Sequence, residues 1–155
     1  MIKFTPTIDD HFERFFADER IGLRPAAARR LDLVRAHLEG YLDEHGYRIL
    51  TTGQLVVLHI ERQLAPHGAF VRTMHADDLL FALPGYLDPA HRLPTPTDAK
   101  AQVQTVRNLV RFLWNVGAWG APAWGDDDYS CAVLELEGAL RAAGRTEPRA
   151  PAAPK

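Results

Sequence analysis

The sequence predicts an all-α fold, one domain of about six helices, on three grounds. Apolar residues recur at intervals of three and four along most of the chain. Capping residues and Gly or Pro breakers fall at the ends of those stretches. No alternating run is long enough to pair as strands, and Arg48 to Leu50 is too short. With 155 residues, 46% of them hydrophobic, the chain can close a single core without a disulfide or structural metal.

The first helix starts at Thr7, a residue suited to an N-cap. Asp9 and Asp10 stand in its first turn, where the helix dipole favours negative charge, and Ile8, Phe12, Phe15 and Phe16 form its apolar stripe. Gly22 and Pro25 punctuate the chain, and Pro25 opens a second helix that runs to His45 with Leu31, Val34, Leu38 and Leu42 inward. Gly46 supplies its stop. Thr51 and Gln54 match a capping box, and Leu50 and Leu55 a hydrophobic staple, so a third helix runs to Ala65 before Pro66 and Gly68. A shorter helix follows over 74–83, ended by Pro84-Gly85. Prolines 84, 89, 94 and 96 mark an extended connection. Thr97 then caps a long fifth helix that ends near Gly117, with Val103, Val106, Val110, Leu113 and Trp114 facing inward. The last helix starts at 126–128 and carries Tyr129, Val133, Leu136 and Leu140 on one face as far as Gly144. Residues 145–155, with prolines 148, 151 and 154, read as a disordered tail too poor in apolar surface to offset its ordering entropy.

Composition excludes several function classes. Net charge is −2, against bulk attachment to polyanions or anionic lipid. The opening MIKFTPTIDD has no signal-peptide pattern and no apolar run reaches the ~18 residues of a membrane span, so the expected location is cytoplasmic, with no membrane partner. The single serine, Ser130, stands in no nucleophile elbow, and no phosphate loop, dinucleotide fingerprint or HExxH is present. The single cysteine, Cys131, lies in an amphipathic stretch and reads as a buried thiol.

Seven histidines raise the question of a metal. His37 and His45, eight apart on one helix, stand about 12 Å apart along its axis, too far for one ion to bridge. His75 with Asp77 and Asp78 fits a helix N-terminus equally well. The expectation is therefore no metal and no cofactor. Glu61, His59, Asp77 and Asp78 are candidates for acid–base work, but nothing in their spacing makes any two converge.

Two features point to binding. Lys100, Gln104, Arg107, Asn108, Arg111 and Asn115 follow helical spacing along one stripe opposite the valines, and no acidic residue occurs between Asp98 and Asp126. These side-chain types donate to phosphates and to base edges. A second basic stretch holds Arg20, Arg24, Arg29, Arg30 and Arg35 against Asp32 alone. Separately, Trp114, Trp119 and Trp124 punctuate a Gly- and Pro-containing segment. They either clamp the last helix to the core or form an exposed aromatic platform, Trp119 and Trp124 foremost, for a partner chain or for bases.

Three segments, RRLDLVRAHLEGYLDEHG, MHADDLLFALPGYL and TDAKAQVQTVRNLVRFLWNVG, together resemble the helical core-binding (SAM-like) domain that precedes the catalytic domain of tyrosine recombinases and phage integrases. The likeness spans residues 29–117 and departs from the family at 47–73, where a helix and loop replace a short connection. The residues after 117 are too few for the family's Arg, His and Tyr constellation. The resemblance thus implies a bacterial or phage DNA-binding or accessory module without strand cleavage, with Arg107, Arg111, Arg29, Arg30 and Arg35 on the duplex. The first expectation is accordingly a non-enzymatic module that grips double-stranded DNA between its second and fifth helices. The alternatives are an adaptor or inhibitor that binds a protein through the tryptophan loop, or a small enzyme with an unrecognised site.

Overall fold

A computed structural model describes residues 4–119 and 126–145. Among them are seven helices and no strand: α1 (Ile8–Arg20), α2 (Pro25–His45), α3 (Thr52–Leu64), α4 (Ala69–Thr73), α5 (Ala76–Tyr86), α6 (Pro96–Asn115) and α7 (Asp126–Arg145). The chain is all-α.

Local chemistry accounts for most helix starts. Thr7 and Asp10 close a capping box on α1, and Thr51 and Gln54 close one on α3. Pro25 stands in the first turn of α2. The α6 cap is Thr95 rather than Thr97: its hydroxyl accepts from the Asp98 N–H at 3.2 Å, and Pro96 occupies the first helical position. A proline fixed at helical φ, following a hydroxyl residue, moves the start two residues upstream.

Tertiary contacts account for the departures. Helix α4 was not expected, because Pro66 and Gly68 mark a break. It forms because the Asp43 carboxylate, at the far end of α2, accepts from the N–H groups of Gly68 (2.8 Å) and Phe70 (3.3 Å). Phe70 and Val71 are buried, and Gly46 has no Cβ because one would lie 2.5 Å from the Phe70 ring. Gly46 is therefore a packing glycine with right-handed φ, and the chain continues as a 3-10 turn to Ile49. Helix α5 does not break at Pro84-Gly85 but runs to Tyr86, held by the burial of Leu79, Leu80, Leu83 and Tyr86. The Tyr41 hydroxyl occupies the space a Gly85 Cβ would need.

The core joins the phenylalanines of α1 to Leu38 and Leu42 of α2, Phe70, the leucines of α5, and Val106, Leu109 and Leu113 of α6. On α6 the turn toward the core includes Leu109, while Trp114, expected inward, is 51% exposed. Buried Gln102 accepts from the Leu93 N–H at 2.8 Å and donates to the His91 carbonyl at 3.1 Å, which pins the proline-rich connection to α6. Helix α7 covers α5 and α6 with Ala132, Leu136 and Ala143, and Cys131 is exposed rather than buried. Trp124 and most of the expected tail, residues 146–155, lie outside the described residues; Arg145 ends α7.

Candidate functional site

The basic-polar stripe lies on the outer side of α6 as its spacing predicts. Lys100, Gln104, Arg107, Arg111 and Asn115 are exposed and Asn108 is half-buried. Part of the stripe lines a groove of about 550 Å³ between α6, the connection before it and the end of α7. Arg92, Lys100, Gln104, Arg107, Ala143 and Gly144 are among its walls. Such a volume suits a small ligand or a stretch of polymer backbone. Arg107 is positioned there by a bond from its Nη2 to the Leu140 carbonyl (3.3 Å) and by Gly144, where a Cβ would stand 2.6 Å from the guanidinium. Lys100, Arg107 and Arg111 form no ion pair among the described residues. The amides are less free. Gln104 donates to Asn108 (3.0 Å), which donates to Glu19 (3.1 Å).

The α2 arginines are differently placed. Arg30 pairs with Asp98 of α6 at 3.2 Å, Arg35 with Glu13 (2.6 Å) and Glu39 (3.0 Å), and Arg20 with Asp32. Partial burial would lower the Arg35 pKa, but its bonds to the two glutamates outweigh that and raise it. Arg29 is exposed and outside any ion pair among the described residues. Carboxylates thus offset Arg30 and Arg35, and of the three α2 arginines only Arg29 stands outside an ion pair among the described residues.

The tryptophan loop divides likewise. Trp119 is 6% exposed and its Nε1 donates to the Ala76 carbonyl at 2.8 Å, so it anchors the chain after α6 to the core rather than offering a surface to a partner.

A ring cluster that the spacing did not reveal lies between α2, α5 and the 3-10 turn Pro89–His91. His37 Nδ1 and the buried Tyr86 hydroxyl are 2.9 Å apart, and the Tyr41 and His45 rings each approach the His91 ring with centroids 4.8 Å apart. Burial first, and His91 second, lower the His37 pKa; burial raises those of Tyr86 and Tyr41. No group of three or more His, Cys, Asp or Glu side chains suited to a metal occurs among the described residues.

The largest departure from ordinary surface chemistry is on α3. One side is well anchored: Leu58 is buried, Gln54 donates to Asp78 (2.8 Å), Glu61 accepts from Arg72 (2.9 Å), and Arg62 donates to the Asp43 carbonyl. The opposite side presents Val56, Val57, Ile60 and Leu64, exposed by 56, 49, 55 and 78%. Helical spacing sets these four on one face, with no charged residue among them. The signal was in the sequence. Of thirteen residues, Leu55, Val56, Val57, Leu58, Ile60 and Leu64 are aliphatic, more than one buried stripe can use.

No protein-family model, curated protein or solved structure matches this chain.

Proposed function

We propose that this protein is a non-enzymatic interaction module that binds another protein chain through the outer face of α3. The observation that carries this reading is the exposure of Val56, Val57, Ile60 and Leu64 as one uncharged face. Monomeric surfaces scatter such residues singly, whereas a contiguous aliphatic patch marks an interaction site. A membrane-surface helix would carry lysine and arginine beside its apolar face, but the one basic residue of α3 apart from histidine is Arg62, which is bonded to Asp43. Tagged protein incubated with nuclease-treated lysate of its native cells is expected to retain a partner that Ile60→Asp loses. Retention by Ile60→Asp overturns the reading.

A second reading rests on the groove beside α6, where Lys100 and Arg107 carry positive charge with no carboxylate partner among the described residues. It is suited to phosphates, including the backbone of double-stranded DNA. Lys100→Ala with Arg107→Ala should then weaken an electrophoretic shift of duplex DNA at low salt and flatten its salt dependence. A wild-type chain that leaves the duplex unshifted removes this reading.

A further inference from the structure

The outer face of α3 is self-complementary, and we infer that its occupant is a second copy of this chain, docked antiparallel about a two-fold axis level with the midpoint between Leu58 and His59. This rests on the α3 reading above and names the partner.

The argument begins with the order of residues around the helix. Gly53, Val56, Val57, Ile60 and Leu64 follow i, i+3, i+4, i+7 and i+11, so they form one stripe along the whole of α3. At one end Leu64 projects 78% exposed; at the other, a Cβ on Gly53 would meet nothing within 4 Å. The stripe therefore carries a knob at its C-terminal end and a hollow at its N-terminal end. In an antiparallel pair, residues equidistant from the midpoint come level across the interface. Leu64 of one copy then stands over Gly53 of the other, and Val57 lies beside Ile60, twice over by symmetry. A parallel pairing would instead set Leu64 against Leu64 and leave Gly53 facing Gly53.

Charge agrees with this occupant. Two copies of one chain bring like charges together unless the shared face has none. Here Glu61 and Arg62, the only charged groups of α3 apart from histidine, are committed to Arg72 and Asp43 on the inner side. His59 and Gln63 bond each other at 3.2 Å along one flank and form a neutral polar rim. Antiparallel helix dipoles also oppose favourably.

Area bounds the strength. The four side chains leave on the order of 400 Å² of aliphatic surface uncovered, about half of the roughly 800 Å² that each partner brings to a standard interface. Such an area places the dimer among weak, reversible associations that fill only at high protein concentration.

Sedimentation velocity on the full chain, over a concentration series up to several hundred micromolar, tests it. The wild type should shift from monomer to dimer, and Ile60→Asp should weaken association on the order of a hundredfold by setting unpaired charge against the partner. Because Ile60 is exposed, its far-UV circular dichroism should match the wild type. Register is read independently with Gly53→Cys and Leu64→Cys together in a Cys131→Ser background. The two positions are about 16 Å apart along one helix, so any bond between them is intermolecular. Mild oxidation should give dimers whose digests contain the 53–64 cross-link. A wild type that stays monomeric throughout, a dimer indifferent to Ile60→Asp, or digests with only 53–53 and 64–64 bonds overturns the inference. A monomeric wild type whose lysate partner is lost in Ile60→Asp overturns the second copy as occupant and leaves the α3 reading standing.

Discussion

The outer faces of α3 and α6 are both open to water and have opposite chemistry. On α6 the stripe is Lys, Arg, Asn and Gln, three of its cations outside any described ion pair, beside a groove closed by the end of α7. On α3 it is valine, isoleucine and leucine, with every charged side chain turned to the other side. A solvated polar face costs the monomer nothing, so α6 needs no partner to explain it. An aliphatic face leaves transfer free energy ungained until something covers it. Exposure alone therefore does not mark an interaction surface; exposure against the chemistry of the exposed group does.

Four measurements break or sharpen that contrast. The largest effect should come from comparing the two sides of α3. Leu58→Ala, at a residue 1% exposed, should cost about 2 to 5 kcal/mol in denaturant unfolding, whereas Ile60→Ala, two residues on, should stay within about 0.5 kcal/mol. Similar losses at both positions would mean that Ile60 is packed within the monomer. The same comparison on α6 comes next. Gln102→Ala strands the Leu93 N–H and should cost about 1 to 3 kcal/mol, while Gln104→Ala should be near neutral.

A third effect follows from the histidines. Burial lowers the pKa of His37 and, against the opposing pull of Asp10, that of His11, so the fold favours their neutral forms. The unfolded chain then takes up protons first. Stability should be fully present above the ordinary value of 6.5 and decline as pH falls through it toward the lowered values, and His37→Gln should flatten that slope in thermal unfolding. An unchanged slope in His37→Gln would assign the acid sensitivity elsewhere. The smallest effect belongs to the pair that joins α2 to α6. A double-mutant cycle on Arg30 and Asp98 should return no more than about 1 kcal/mol, because both side chains keep contact with water.

Much of the fold was legible because its signals are local. Thr7 with Asp10, Thr51 with Gln54, and Pro25 each act within one turn, and the phenylalanines of α1 repeat at helical spacing. What was misread depends on groups distant in sequence. Helix α4 exists through a carboxylate 25 residues upstream of its first amide, and α5 passes Pro84 because the burial of its leucines outweighs one missing hydrogen bond. The site divides the same way. Charge on α6 could be seen residue by residue, but whether Arg30 and Arg35 were offset depended on Asp98 and Glu13, which only folding brings near. Trp119 likewise stands in sequence as an aromatic in a loop, and its anchoring depends on a carbonyl 43 residues away. The α3 face is hard to read for the opposite reason: aliphatic residues at helical spacing are expected inside, and a helix with two such faces looks like one with a generous core.

Asp43 has a further consequence. Helix α4 is five residues long, well below the length at which a helix persists alone in water, so it depends on tertiary support: the burial of Phe70 and Val71 and the two bonds to the Asp43 carboxylate. Removing the carboxylate, as in Asp43→Ala, frees both amides at once and leaves the 65–73 segment held to α2 by side-chain packing alone. Limited digestion of that variant should nick the backbone between Ala65 and Arg72 long before global unfolding, with the rest of the molecule still intact. Because α4 packs against both α2 and α3, one side chain of α2 thereby also supports the ground on which the aliphatic face of α3 stands.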